Sequence, residues 1–600
     1  MIRYTSTGQL KIEEFKTPFE INIEKHIDNR WVRLANSLPW DKLAKVYYSK
    51  MCKDNGAPAK SARLVIGALI VKGLLKLSDR ETMEMIRENW FIQYFLGMSA
   101  YSYEYPFDRT LLTKIRKRIG IEEYDLMSRE LLKIAEMVER GEEERIKEEG
   151  GDKIKKQEEE IKGEKGIKNG EKGIGSEGSR IERETDKEGD EIELKESQVK
   201  REDKEDKREV IADKDETKKK EELNKQNKEL EKEKEKEKSH QEKHKGKLII
   251  DATVMEQQIA YPNDLGLLNK CREESERLID ELHKILKWEK KPRTYRQEAR
   301  KKYLMIAKKK RKSEKEIRRG IKEQLGYLRR NISHINKMLD ELKTRGMKGW
   351  VLSYRDLRIF WVIQEVYRQQ EEMYKEKKRR IEDRIVNIYQ PYVRPMVRGK
   401  EGKEVEFGAK ASVSLIGRMS FINRLSWDAY NEGIDLKGQV ERYKELMGYY
   451  PEVVIADKIY GTRENREYLR ERGIRFSGKA LGRPKEEEKS KEEKRKEREE
   501  RGIRNRIEGK FGQGKNGYGL GKIRAKTKET SESWIGNIFF VMNIVSLMKI
   551  LVEKGINFLF LFFSIIFGWV IRLRTAMTRI IQVYQLYQKN FPSKILLSTT

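Results

Sequence analysis

Cysteine is nearly absent. Cys52 and Cys271 are the two in 600 residues, which excludes a disulfide framework and fits a reducing compartment. Histidine is almost as scarce, the full set being His26, His240, His244, His283 and His334. No Cys or His pair has zinc-ligand spacing in a plausible fold, so any metal is expected on carboxylates. Residues 141–246 contain no Phe, Tyr or Trp, yet carry 36 acidic and 30 basic side chains. Such a segment buries too little apolar surface to offset chain entropy and reads as a disordered, low-complexity linker. The N-terminal MIRYTSTGQLKIEEF lacks the apolar run of a secretory signal.

Outside the linker there are 102 basic and 66 acidic residues, a net charge of +36 on 494 residues. A polyanion is the natural partner of so basic a chain, whether nucleic acid or an anionic membrane surface. The length predicts two or three domains.

Composition divides the chain into four parts. Residues 1–140 read as helical: an apolar helix from Ala62 to Lys76, then a helix begun by a Ser78–Glu81 capping box with Met83, Ile86 and Trp90 on one face. A third, TLLTKIRKRIG, ends at Gly120. Two readings of these helices stay open. One is a helix-turn-helix-like module that offers Arg116 and Lys117 to DNA; the other is a plain bundle on which Arg116, Lys117 and Arg118 form a solvated face. Residues 141–246 are the linker. Residues 247–550 alternate strand and helix, the pattern of an α/β layer domain, with a helical insertion at about 266–385 interrupted near Pro292. Residues 551–600 form an apolar C-terminal helical segment. Its stretch 556–571 is shorter than the roughly 18–20 residues that span a bilayer and is expected to be a buried or interfacial helix.

Two carboxylates end apolar runs in the third part: Asp251 after LII, near the end of its strand, and Asp457 after VVIA, where a buried-type strand stops. A charge directly after a buried strand is costly unless paired or bound to metal. Two such strands side by side place both carboxylates at one sheet edge, where open α/β sheets put ligands. A third, Glu508, lies among Arg504, Arg506, Lys510 and Lys515. Three such carboxylates can hold two Mg²⁺ or Mn²⁺ ions for in-line phosphoryl displacement, with the basic neighbours holding phosphate. The competing reading is that Asp251 and Asp457 merely cap the turns that follow them.

Several stretches together resemble bacterial insertion-sequence transposases of the DDE type. SARLVIGALIVKGLLKLSDRETMEMIRENWFIQYFLG, continuing through PFDRTLLTKIRKRIG, is similar to their N-terminal domain. LIIDATVMEQQIAYPNDLGLLN is similar to the first-aspartate segment, and VRGKEGKEVEFGAKASVSL and LSWDAYNEG to the middle strands. VVIADKIYGTRENREYLRERGIRFSGKALGRP and IRNRIEGKFGQGKNGYGLGKIRAKTKETSESWI resemble the second-aspartate and glutamate segments. The family's signature around its glutamate is Tyr, two residues, Arg, three residues, Glu, six residues, Lys. Arg504, Glu508 and Lys515 fit it, while Arg501 stands at the Tyr position.

The resemblance implies an α/β fold: a ribonuclease H-like mixed sheet flanked by helices, with a helical N-terminal domain and a long helical insertion. It implies that Asp251, Asp457 and Glu508 are a catalytic, metal-binding triad, and that Arg504 and Lys515 contact phosphates. The reaction implied is hydrolysis at the element's ends, then transesterification into target DNA. Double-stranded DNA, as terminal inverted repeats and target, is the expected partner, with a homodimer or larger assembly on it and no membrane. The expected location is cytoplasmic and nucleoid-associated.

The insertion adds a reading from residues alone. Positions 291–330 hold 17 Lys/Arg against four Glu, interspersed with Tyr295, Tyr303 and Tyr327. Arg300, Lys301, Lys309 and Arg311 are the expected phosphate contacts there. A non-catalytic, sequence-specific DNA-binding protein derived from a transposase shares the charge and the N-terminal helices. It has no need of three carboxylates in a basic setting.

Overall fold

A computed structural model of the protein describes residues 17–52, 57–141, 244–347, 351–400, 403–478 and 490–554. Most of the charged linker and the apolar stretch 556–571 lie outside the described residues. The sheet is mixed and is built on two neighbours, β1 (Lys247–Glu256) and β3 (Lys403–Ile416), which pair antiparallel from Leu248–Ile416 to Glu256–Gly408. The far edge of β3 is shared: β2 (Arg394–Lys400) pairs its first half and β4 (Met419–Ser426) its second. On the other side of β1 lie β5 (Val453–Ile455) and then β6 (Arg475–Phe476), both parallel. This is the mixed sheet of a ribonuclease H-like core. Gly408 is required where β3 crosses the end of β1, because a Cβ there would stand 1.9 Å from the Met255 carbonyl oxygen.

Two strand boundaries differ from expectation. β1 continues to Glu256, so Asp251 is mid-strand rather than near its end. The polar residue does not stop the ladder, because apolar residues resume with Val254 and Met255, both buried. β5 ends at Ile455, two residues before Asp457.

The helix Lys528–Glu553 crosses the core. It is long and apolar enough to pass for a membrane span, with mean hydropathy 2.0, yet 78% of that window is buried in the fold. Its polar residues explain why it belongs there. Asn543 accepts from the Ser420 amide at 2.8 Å and donates to the Ser420 carbonyl at 2.9 Å on β4; Asn537 donates to the Leu69 carbonyl at 3.0 Å. The Asn537 bond ties it to the N-terminal helix Ala62–Leu75, and one apolar cluster runs from Ile23 and Leu69 through Leu248 and Ile250 to Phe540. Each such buried side chain contributes about 1.5–3 kcal/mol, so the N-terminal helices share a core with the sheet.

In the N-terminal region the Ser78–Glu81 capping box forms as expected. Trp90 does not continue that face. Asn89 ends the helix and caps the next one, Trp90–Phe95, leaving Trp90 half exposed. The insertion comprises four helices: Asp264–Leu286, Arg296–Ala307, Glu314–Thr344 and Tyr354–Glu376. Leu278, Leu328, Ile335 and Ile363 are fully buried in a core separate from the sheet's.

Candidate active site

Parallel pairing fixes the first two carboxylates. Ile249 lies opposite Ile455 in the β1–β5 ladder, and Asp251 and Asp457 each follow two residues on. The register therefore sets both acids at the same level, Asp251 within β1 and Asp457 just past the end of β5. Each also accepts a hydrogen bond from the next backbone amide, Asp251 from Ala252 at 2.8 Å and Asp457 from Lys458 at 2.7 Å. The turn-capping reading therefore describes Asp457 as well, since it caps the short 3₁₀ turn Lys458–Tyr460.

Glu508 comes from the helix Lys491–Gly512, which packs against β1 and β5. A cavity of about 710 Å³ is lined by Asp251, Asp457 and Glu508 together with Arg504 and Lys515. Arg504 lies between two of the acids, 3.6 Å from the Asp457 carboxylate and 3.5 Å from that of Glu508. Asp251 is the most enclosed of the three. Burial pushes its pKa up to about 6, helped by the like charges of Glu432 and Asp457 and opposed by the Ala252 amide and Arg504.

The donor set, carboxylate oxygens only, fits a hard divalent cation, and Asp251's raised pKa is the penalty such a cation relieves. As they stand, however, the acids are not gathered into a ligand set. Among the described residues no group of three or more His, Cys, Asp or Glu is close enough to hold a metal.

Three polar residues that line this cavity, Lys410, Tyr430 and Glu432, escaped the sequence reading, as did the buried Tyr460. Glu432 is ion-paired with Lys410, which also donates to the Tyr430 carbonyl at 3.0 Å. Tyr460 is fully buried, and among the described residues its hydroxyl has no hydrogen-bond partner. Burial and the facing carboxylates Glu432 and Asp251 push its pKa far upward, so it is a neutral hydroxyl. Lys410, Tyr430 and Glu432 stand in segments already matched by resemblance, but without a chemical role attached to them.

The basic residues separate. Arg504 and Lys515 line the cavity, whereas Arg506 and Lys510 line a different one behind the same helix. Their expected place beside the carboxylates is corrected by helical geometry: at about 100° per residue, Arg506 points roughly 160° away from Glu508. Arg116 is corrected too. It is buried, its guanidinium donates to both oxygens of Asp79 at 2.8 and 2.5 Å, and it lies over the Trp534 ring. It is part of the bundle's packing, while Lys117 is exposed. Arg300, Lys301, Lys309 and Arg311 are all on the surface of the insertion, Lys309 paired with Glu316.

Residues 21–118 match the family described as a transposase domain (DUF772), and residues 454–545 match the transposase DDE domain. These two matches indicate an insertion-sequence transposase of the DDE type. The DDE match contains Asp457 and Glu508, and Asp251 lies outside it. An uncharacterized protein from the nfe locus of Rhizobium meliloti (ORF8) is 36% identical over 89 residues, which are 15% of this chain and 42% of that protein. The chain thus spans less than half the length of that relative. No solved structure matches it. Transposases of this type generally use divalent metals and bind DNA.

Proposed function

We propose that this transposase binds the ends of its own insertion sequence, cleaves them and joins them to target DNA. Asp251, Asp457 and Glu508 are its catalytic, metal-binding triad and would hold Mg²⁺ or Mn²⁺, as two ions. The observation that carries this reading is the shared offset of Asp251 and Asp457 from the Ile249–Ile455 pair, which brings both to the cavity that Glu508 also lines.

Two displacements follow. In the first, water attacks phosphorus and the bond to the 3′-oxygen breaks, leaving a 3′-hydroxyl and a 5′-phosphate. In the second, that 3′-hydroxyl attacks a target phosphodiester and the target's 3′-oxygen leaves. When bound, the divalent ions would supply activation of the attacking oxygen and stabilisation of the leaving one. The residues of this chain do the rest. Arg504 and Lys515 hold the scissile phosphate at the cavity mouth, and the surface of the insertion tracks the backbone through Arg300, Lys301, Lys309 and Arg311. The chain acts in the cytoplasm, on nucleoid DNA, as a dimer or larger assembly.

The alternative, a non-catalytic DNA-binding derivative, draws on Arg504 standing between Asp457 and Glu508. Incubating the full chain with duplexes carrying the element's ends and Mg²⁺ separates the two. Strand cleavage that is lost in Asp251→Ala, Asp457→Ala and Glu508→Ala, with end binding kept, supports the transposase. End binding without cleavage in the parent protein supports the derivative.

A further inference from the structure

The helix Lys491–Gly512 and the π-helical turn Gln513–Gly517 that extends it serve two cavities. At about 100° per residue, Arg504, Glu508, Phe511 and Lys515 fall within a sector of roughly 60°. Arg506, Gly509, Lys510 and Gln513 fall on the opposite side. The first set faces the carboxylates; the second lines a cleft of about 490 Å³ closed by the β3–β4 turn and by the C-terminal half of Lys528–Glu553.

Four cations converge on that second cleft: Arg418, Arg506, Lys510 and Lys549. Its only carboxylate among the described residues is Glu553, which is 2.6 Å from Arg418. Among the described residues no carboxylate pairs with Arg506, Lys510 or Lys549. Lys510 is the anchor. Its ammonium donates to Ser546 Oγ at 2.6 Å, and Ser546 in turn donates to the Met542 carbonyl at 2.9 Å. Uncompensated cations gathered in a concave, partly desolvated place lose stability unless an anion joins them.

We propose that this cleft is a second phosphate-binding site, on the face of the helix away from the carboxylates, and that it takes a phosphodiester of bound DNA. One helix then reads the strand being cut on one side and holds a separate backbone segment on the other. That the phosphate belongs to DNA rests on the function proposed above; the site itself does not.

The test uses the full chain in EDTA, so that the carboxylates hold no cation, and the exposed pair Lys549→Gln/Arg506→Gln. Duplex binding is measured from about 50 to 200 mM salt, and inorganic phosphate is titrated separately by calorimetry. Each DNA phosphate that the protein no longer neutralises lowers the log–log salt slope by about 0.9, so loss of this one phosphate contact should make the double variant's slope shallower by about 0.9. Saturable phosphate binding should weaken at least tenfold. If phosphate binding is lost while the DNA slope holds, the occupant is free phosphate and the DNA assignment is overturned. If neither changes in a variant with native circular dichroism, the site itself is overturned. Cleavage that survives in Asp251→Ala refutes the proposed triad and leaves this result untouched.

Discussion

Arg504 stands 3.6 Å from Asp457, the same guanidinium that reaches Glu508 one helical turn later. Its charge is one of the two influences holding down the pKa of Asp251, which burial drives up. Removing it therefore raises the pKa of Asp251 further. Arg504→Gln should move the acid limb of the cleavage profile to higher pH. The rate should fall on the order of tenfold or more at pH 6, the scale of a charge-assisted hydrogen bond, and by less at pH 8. Arg504→Lys should restore part of the limb. A pH profile parallel to the parent's would show that Arg504 does not tune Asp251.

Asp251 also predicts a stability change of known sign. Its folded pKa, about 6, is above the ordinary aspartate value of 3.8. Between those values the folded state holds the extra proton, so stability falls as pH rises from about 4 to about 6 and stays reduced above. Asp251→Asn removes the penalty while keeping an acceptor for the Ala252 amide. At pH 7.5 in EDTA it should be more stable than the parent by about 1–2 kcal/mol, discounted because the acid faces a solvent-filled cavity. At pH 4 the difference should vanish. Adding Mg²⁺ should raise the parent's Tm and leave that of Asp251→Asn nearly unmoved. Equal Mg²⁺ responses would remove Asp251 from the ligand set.

Much of this site is legible in the sequence. The runs LII and VVIA announce buried strands, and the acids after them have to meet if those strands pair in parallel. Where each strand ends is not legible, because β1 is prolonged by β3, whose partner residues lie more than 150 positions away. Nearness in sequence to Glu508 misplaces Arg506 and Lys510, although helical spacing alone separates them from it. Arg116 is different: its burial depends on Asp79 and on Trp534, near the far end of the chain. Glu432 and Lys410 become neighbours only when β3 and β4 are laid side by side.

That same buried cluster makes Asp79 a stability determinant. Its carboxylate receives Arg116 and the nearly fully buried Lys72, at 2.9 Å, while Lys72 lies 4.3 Å from the Trp534 ring centroid. The two cations and hydrogen bonds hold the Asp79 carboxyl below its ordinary pKa against the opposing effect of burial. Asp79→Ala leaves both cations buried without a counter-charge, a change that costs about 3–5 kcal/mol. Chemical denaturation should show it as a lower midpoint at unchanged slope. Because the group's pKa is depressed when folded, its contribution is present above the unfolded carboxylate range and is lost on acidification through the folded value. A loss below about 1 kcal/mol would mean that the cations find other partners.

The insertion offers the last test, because its basic surface is backed by ring contacts. Arg330 lies 4.7 Å from the Tyr295 ring and 5.6 Å from that of Tyr327, and Lys302 lies 5.9 Å from Tyr327. These rings fix the cations on the helices Arg296–Ala307 and Glu314–Thr344 in place, while Arg300, Lys301 and Arg311 remain free to follow a backbone. A surface that tracks phosphates carries no sequence information. The triple change Arg300→Gln/Lys301→Gln/Arg311→Gln should therefore weaken end DNA and unrelated DNA equally, and lower the salt slope by about 2.7. Weakening confined to end DNA would mean that these residues read bases. An unaltered slope would return the insertion to a solvated surface.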